Sequence, residues 1–205
     1  MMPLLRLRGL PSLPVIEGDG LVLRAPKLAD YAAWSRLRAE SRDFLAPWEP
    51  VWPQNDLSKT AFRMRVRRVT DDMRADIAYA FLVTRAETGE ILGGLTLSQV
   101  RRRVAMTGTL GYWIGRPHAR QGHMSRAVRL TLAFSFNTLG LRRIEAACLP
   151  HNAASIALLE KVGFQREGYA REYLQIAGRW QDHLLYAMLA RDFASAQGQT
   201  VGLPA

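Results

Sequence analysis

Cysteine is almost absent: Cys148 is the only one in 205 residues. A single thiol makes no internal disulfide, and a four-cysteine zinc fold is excluded with it. Lysine is nearly as scarce, confined to Lys27, Lys59 and Lys161. No run of 18 apolar residues occurs, so no membrane span is expected. The start, Met1 to Arg8, lacks the long apolar stretch and small-residue cleavage site of a signal peptide. These absences point to a cytoplasmic protein without membrane association. Neither G-x-x-x-x-G-K-[ST] nor G-x-G-x-x-G is present, so the nucleoside-triphosphate and dinucleotide fingerprints are missing. No internal repeat or low-complexity block breaks the chain.

What is abundant is arginine. The chain carries 28 basic against 18 acidic residues, a net charge of +10, and 25 of the basic residues are arginine. The planar guanidinium fork suits phosphate and carboxylate. The surplus fits an anionic partner such as nucleic acid, a phosphorylated cofactor or an acidic surface, and equally an arginine-rich composition with no function attached. With 48% hydrophobic and 22% charged residues the composition is that of a globular protein. The expected organisation is a flexible arm at 1–14, a single domain at 15–193 and a flexible tail at 194–205.

Periodicity gives the order of elements. Val15 to Arg24 reads as a strand bent at Gly18-Asp19-Gly20. Asp30 to Glu40 reads as a helix, and residues 44–53 as an aromatic loop whose three prolines forbid continuous helix. Asp56 or Ser58 caps a helix reaching Arg74. That helix carries Arg63, Arg65, Arg67 and Arg68, either a solvated basic face or a docking face for an acidic partner. Strands follow at 77–85, 91–100 and 105–115, with Arg101-Arg102-Arg103 as a hairpin tip. A largely apolar helix spans 122–139, then come a strand at 141–149, a helix at 153–162 capped by Asn152, and strands at 164–176 and 181–189. Three consecutive strands in meander order pair antiparallel. A later strand–helix–strand step sets two strands in parallel.

The segment Gly111-Tyr112-Trp113-Ile114-Gly115-Arg116-Pro117-His118-Ala119-Arg120-Gln121-Gly122-His123-Met124-Ser125-Arg126 runs from strand through basic loop into helix. The first helical turn leaves backbone N–H groups unpaired, and the helix dipole adds positive potential there. Gly122 allows close backbone approach. Together these form an anion site suited to a pyrophosphate, or else an ordinary strand–helix turn.

Further along, Asn152-Ala153-Ala154-Ser155 is followed by Leu159-Glu160-Lys161-Val162-Gly163-Phe164 and Glu167-Gly168. Then come Arg171-Glu172-Tyr173-Leu174, Gly178-Arg179-Trp180 and Asp182-His183-Leu184-Leu185-Tyr186. With the Gly122 loop and Pro47-Trp48-Glu49-Pro50, this set resembles the GNAT superfamily of acetyl-CoA-dependent N-acetyltransferases. It is most similar to the branch that acetylates ribosomal-protein N-termini, over residues 15–193. The superfamily's phosphate loop usually reads Q/R-x-x-G-x-G/A, so Ala119 and Met124 depart from it, with Arg120 able to replace the missing basic side chain.

The resemblance implies an α/β fold: a mixed, mostly antiparallel central sheet of about seven strands, flanking helices, and a splayed parallel pair forming the acyl-CoA cleft. It implies acetyl-CoA as cosubstrate, held along the backbone of Trp113, Ile114 and Gly115. Residues Arg120, Gln121, Gly122, His123, Met124, Ser125 and Arg126 would form the phosphate site, with Asn152 and Ser155 beside the thioester arm. Asn152 also serves as a plain helix cap.

For catalysis, Ser155 matches the serine expected near the coenzyme sulfur and is the candidate acid. Glu145 and Glu172 are rival bases, each alternatively a surface ion-pair partner, and Tyr173 or Tyr112 is an alternative acid. Trp48 and Trp52, with Tyr112, are candidate walls of the acceptor site, and the tryptophans alternatively anchor a long loop in the core. His118, His123, His151 and His183 lack metal-ligand spacing with cysteine or acid partners, so no metal is expected. The acceptor is a primary amine, foremost a protein N-terminus, with possible ribosome or ribosomal-protein association. A small-molecule amine is the alternative enzyme substrate. A basic ribosome- or RNA-binding protein without catalysis, or a coenzyme-binding domain that has lost it, is the alternative outside that class. Both a monomer and a homodimer fit.

Overall fold

The computed structural model describes residues 12–196. Most of the expected arm at 1–14 and of the tail at 194–205 lies outside the described residues. The first strand is in fact two, β1 (Val15–Gly18) and β2 (Leu21–Arg24). Asp19 and Gly20 both take positive φ, 50° and 74°, so Asp-Gly reverses the chain as a two-residue hairpin turn where a bend was expected. The two strands pair antiparallel with Gly18 opposite Leu21.

Helix α1 (Tyr31–Glu40) follows. The Pro-rich segment is less irregular than its prolines suggest: α2 (Arg42–Leu45) runs into a 3-10 turn at Ala46–Trp48. There Pro47 sits early in the turn, where its missing N–H costs nothing. Helix α3 (Lys59–Arg74) is capped by Ser58, whose Oγ accepts the Ala61 N–H at 3.1 Å. The meander is β3 (Tyr79–Arg85), β4 (Ile91–Arg101) and β5 (Thr107–Ile114). Helix α4 (His123–Ala133) continues into a π-helical turn at Phe134–Thr138, then β6 (Arg143–Cys148) and α5 (Ala153–Val162). The chain closes with β7 (Gln165–Ile176), β8 (Arg179–Leu189) and α6 (Ala190–Ala196).

The eight strands form one sheet in the order β1-β2-β3-β4-β5-β6-β8-β7. Every pairing is antiparallel except β5 with β6. The main core lies on the α4–α5 face, where Leu97, Leu110, Val128, Leu132, Ile144 and Leu159 are at most 4% exposed. A smaller core on the other face joins Trp34 and Leu37 of α1 and Phe62 of α3 to Leu82 and Ile91. Among the described residues no helix is long and apolar enough to cross a membrane.

Candidate active site

The parallel pairing of β5 and β6 runs from Thr107 opposite Arg143 to Leu110 opposite Ala146, and stops there. Beyond it, Gly111 to Ile114 stay bonded to β4, and Ala147 and Cys148 stay bonded to β8. Each strand is held on its outer side while the inner sides part. The backbone groups along the opening are therefore free of strand partners, and an extended polar chain can lie there as an added strand.

Tyr112 and Ser155 meet across this opening. Their hydroxyl oxygens are 2.7 Å apart. Tyr112 follows the last paired residues of β5 and points to the α4–α5 face, and Ser155 is in the first turn of α5. Asn152 caps that helix by accepting the Ser155 N–H at 3.1 Å, which fixes the serine's backbone. Burial pushes the Tyr112 phenol far above its ordinary value, against the pull of Ser155, so it keeps its proton. Cys148, buried at the end of β6, has its thiol raised by the same loss of water, with Ser155 acting the other way.

The helix end that follows β5 is shaped for an anion. Arg120 and Gly122 both adopt left-handed backbone conformations, φ 60° and 76°. A Cβ on Gly122 would meet nothing within 4 Å, so the space over the first turn of α4 is open. The first N–H bonded back into the helix is that of Arg126, to Gly122 O at 3.2 Å, which leaves those of His123, Met124 and Ser125 directed outward. The residues present thus fit a pyrophosphate without the usual side chain at Ala119.

The loop's side chains are spent largely on the loop itself. Arg126 donates to Asp19 O at 2.6 Å and to His123 Nδ1 at 2.7 Å. His123 Nε2 lies 3.1 Å from Gln121 Oε1, and Gln121 Nε2 donates to Pro117 O at 2.9 Å. Since Nδ1 accepts from arginine, the His123 proton is on Nε2. Burial, with Arg126 beside it, holds the imidazole below its ordinary value.

Neither candidate base hydrogen-bonds to the Ser155–Tyr112 pair. Glu145 points to the opposite sheet face and is held by Arg143 at 2.9 Å and Arg101 at 3.5 Å. Glu172 sits in a bulge of β7 between Ala170 and Leu174, with φ 44°. Its N–H bonds Asp182 at 2.8 Å, and its carboxylate has no hydrogen-bond partner among the described residues. Tyr173 stacks edge-on against buried His183 at 5.6 Å.

Trp48 and Trp52 flank the opening through partners that the sequence left unmarked. Trp48 packs on His151 at 5.6 Å, at the end of β6. Trp52 donates Nε1 to Glu49 at 2.7 Å, and the Arg38 guanidinium lies 4.0 Å over its ring and 4.8 Å from Trp113. Arg38 grips Glu49 with both Nη atoms, at 2.8 and 2.7 Å. An arginine on the inward side of α1 was the available signal, masked by so many others in the chain. Among the described residues no group of three or more His, Cys, Asp or Glu is arranged to hold a metal ion.

A mostly antiparallel sheet opening at its one parallel pair, followed by a glycine-started helix, defines the class. The acetyltransferase (GNAT) domain model matches residues 20–165, and the chain belongs to that family. It is 34% identical to the [ribosomal protein uS5]-alanine N-acetyltransferase of Escherichia coli (strain K12) over 181 residues, 85% of this chain and 90% of that one. Among solved structures it resembles the ribosomal-protein-S5-alanine acetyltransferase of Vibrio fischeri, with TM-score 0.81 and 29% identity over 88% and 98% of the two chains. It also resembles RimJ of Mycobacterium smegmatis in complex with CoA-disulfide, with TM-score 0.79 and 29% identity over 91% and 94%.

Proposed function

We propose that this acetyltransferase moves an acetyl group from acetyl-CoA to the N-terminal amine of a protein, with a ribosomal protein as the foremost acceptor. The observation that carries the reading is the opening of β5 from β6 with the Tyr112–Ser155 pair across it. The relatives that act on ribosomal protein uS5 support the acceptor.

Bound acetyl-CoA supplies an activated acyl group and a thiolate leaving group. The open edge of β5, at Trp113, Ile114 and Gly115, would align its arm. The N–H groups of Gln121 to Ser125 would take the pyrophosphate, and Arg120, left-handed at the loop's turn, would face it. Ser155 donates a proton to the departing sulfur and is resupplied by Tyr112, which burial keeps protonated. The ammonium first gives one proton by way of water to Glu172. Its freed lone pair then forms the nitrogen–carbon bond, and as the carbon–sulfur bond breaks the second proton on nitrogen passes through the Tyr112–Ser155 pair to the sulfur, so both hydroxyls end protonated. Glu172 is preferred over Glu145 as the base because Glu145 is engaged by Arg143 and Arg101. Most of the rate comes from holding amine and thioester together between the Trp48–Trp52 loop and the opening.

Thiol release from acetyl-CoA, followed with peptides and small amines as acceptors, tests this. The expected result is turnover with peptides bearing a free N-terminus and none once it is blocked. Turnover with small amines alone would overturn the protein acceptor, and no turnover with any amine would overturn acetyl transfer.

A further inference from the structure

Two of the α3 arginines, Arg65 and Arg68, line a cavity. It holds about 330 Å³ between α3 and strands β3 and β4. Trp34, Phe62 and Trp113 give it apolar walls, and Arg65 and Arg68 stand on the α3 side. Thr96 and Ser98 line it from β4, and Asp72 is its one acidic lining residue.

Hydrogen bonding here is incomplete. Among the described residues, the only buried side-chain nitrogen or oxygen atoms without a partner are Nε of Arg38 and Nε of Arg65. Arg65 bonds Asp56 at 2.8 Å and lies 5.2 Å from the Trp34 ring. Burial pulls its guanidinium below the ordinary value, and the nearby charges of Arg38 and Arg68 add to this. Arg68 makes no ion pair among the described residues. A desolvated guanidinium N–H without an acceptor is costly, and a carboxylate is its best complement.

The cavity also adjoins the opening. Gly94 and Thr96 lie across from Trp113 and Gly111, and Gly111 is the first residue of β5 past the parallel pairing. One strand spacing is about 4.8 Å and an extended chain advances about 3.3 Å per residue. A peptide whose amine is at the opening and which runs across β5 towards β4 brings its second or third side chain over the cavity.

We propose that this cavity receives an acidic side chain at the second or third position of the acceptor, its carboxylate seated between Arg65 and Arg68. The inference rests on the peptide-acceptor reading above. Asp72, one turn beyond Arg68, repels a carboxylate from its own end and so confines the seat to the end beside Trp34.

The test compares kcat/KM for peptides that differ only in Glu, Gln or Lys at the second and third positions. At one of these positions Glu should exceed Gln by about tenfold, a charge-assisted contact's worth. In the exposed-residue variant Arg68→Gln that preference should largely vanish, in Arg68→Glu it should invert towards Lys, and in Asp72→Asn it should grow. Equal kcat/KM for the three peptides, or an unchanged ratio in Arg68→Glu, would overturn the proposal while leaving peptide acetylation standing. Refusal of every peptide alongside turnover of small amines would remove the peptide reading itself, and this site with it.

Discussion

At the scale of single residues, the site depends on two hydroxyls held against each other and on side chains that lock one another. Ser155→Ala removes the proposed proton donor while Asn152 continues to cap α5. It should lower kcat about a hundredfold with little change in acetyl-CoA affinity; a smaller kcat loss than tenfold, by thiol release, would count against its role. Glu172→Gln should depress kcat/KM most at neutral and lower pH, where a base is most needed, and Glu145→Gln should not; equal profiles would dismiss Glu172. His123 carries a stability consequence. Its folded-state pKa is below the ordinary 6.5, so between the two values the unfolded chain binds a proton that the folded chain does not. Its contribution is full above 6.5 and is lost as pH falls through the lowered value. Denaturant unfolding should give lower stability at about pH 5.5 than at about pH 7.5, by less in His123→Gln than in the parent.

At the scale of elements, the turn into α4 is the most demanding. Gly122 needs φ 76°, and an alanine there should cost about 1 kcal/mol of stability. Its Cβ would also project into the open space over the first turn, so acetyl-CoA affinity should drop by more than stability does; calorimetric binding with unaltered affinity would contradict the anion site. This element was legible in the sequence because its signals are local: a glycine, a helix start and a basic loop. The parallel pair was legible too, because chain order and handedness imply it. The split of the first strand was in reach, since Asp-Gly is a hairpin signal in its own right. Arg38 and Glu49 were not legible, because their half-buried ion pair is enclosed by Trp52 and Trp113, which lie far apart in chain order. The arginine tip is the hairpin turn that was expected, but its bonding was not legible. Arg101 bonds Thr107 and Glu145, and Arg102 bonds Asp76 at 2.6 and 2.7 Å, so two of the three tie the end of the central β4–β5 hairpin to its neighbours.

At the scale of the whole molecule, the proposed coenzyme site is assembled from two successive segments of the chain's second half, with β5 and α4 on one side and β6 and α5 on the other. A ligand that bridges them should stabilise the fold as a unit. At about 100 times its dissociation constant, acetyl-CoA should add roughly 2.7 kcal/mol, read as a rise in melting temperature; no rise at millimolar concentration would speak against binding. The acceptor wall spans the chain still more widely. Trp48 rests on His151, and Glu49 O accepts the N–H of Ala177 at 2.9 Å. Trp48 and Glu49 are thus held by residues made much later in synthesis. A nascent chain emerges from its N-terminus, and domains settle only when their distant contacts are available. The proposed wall around the acceptor can therefore close only after the hairpin β7–β8 has left the ribosome.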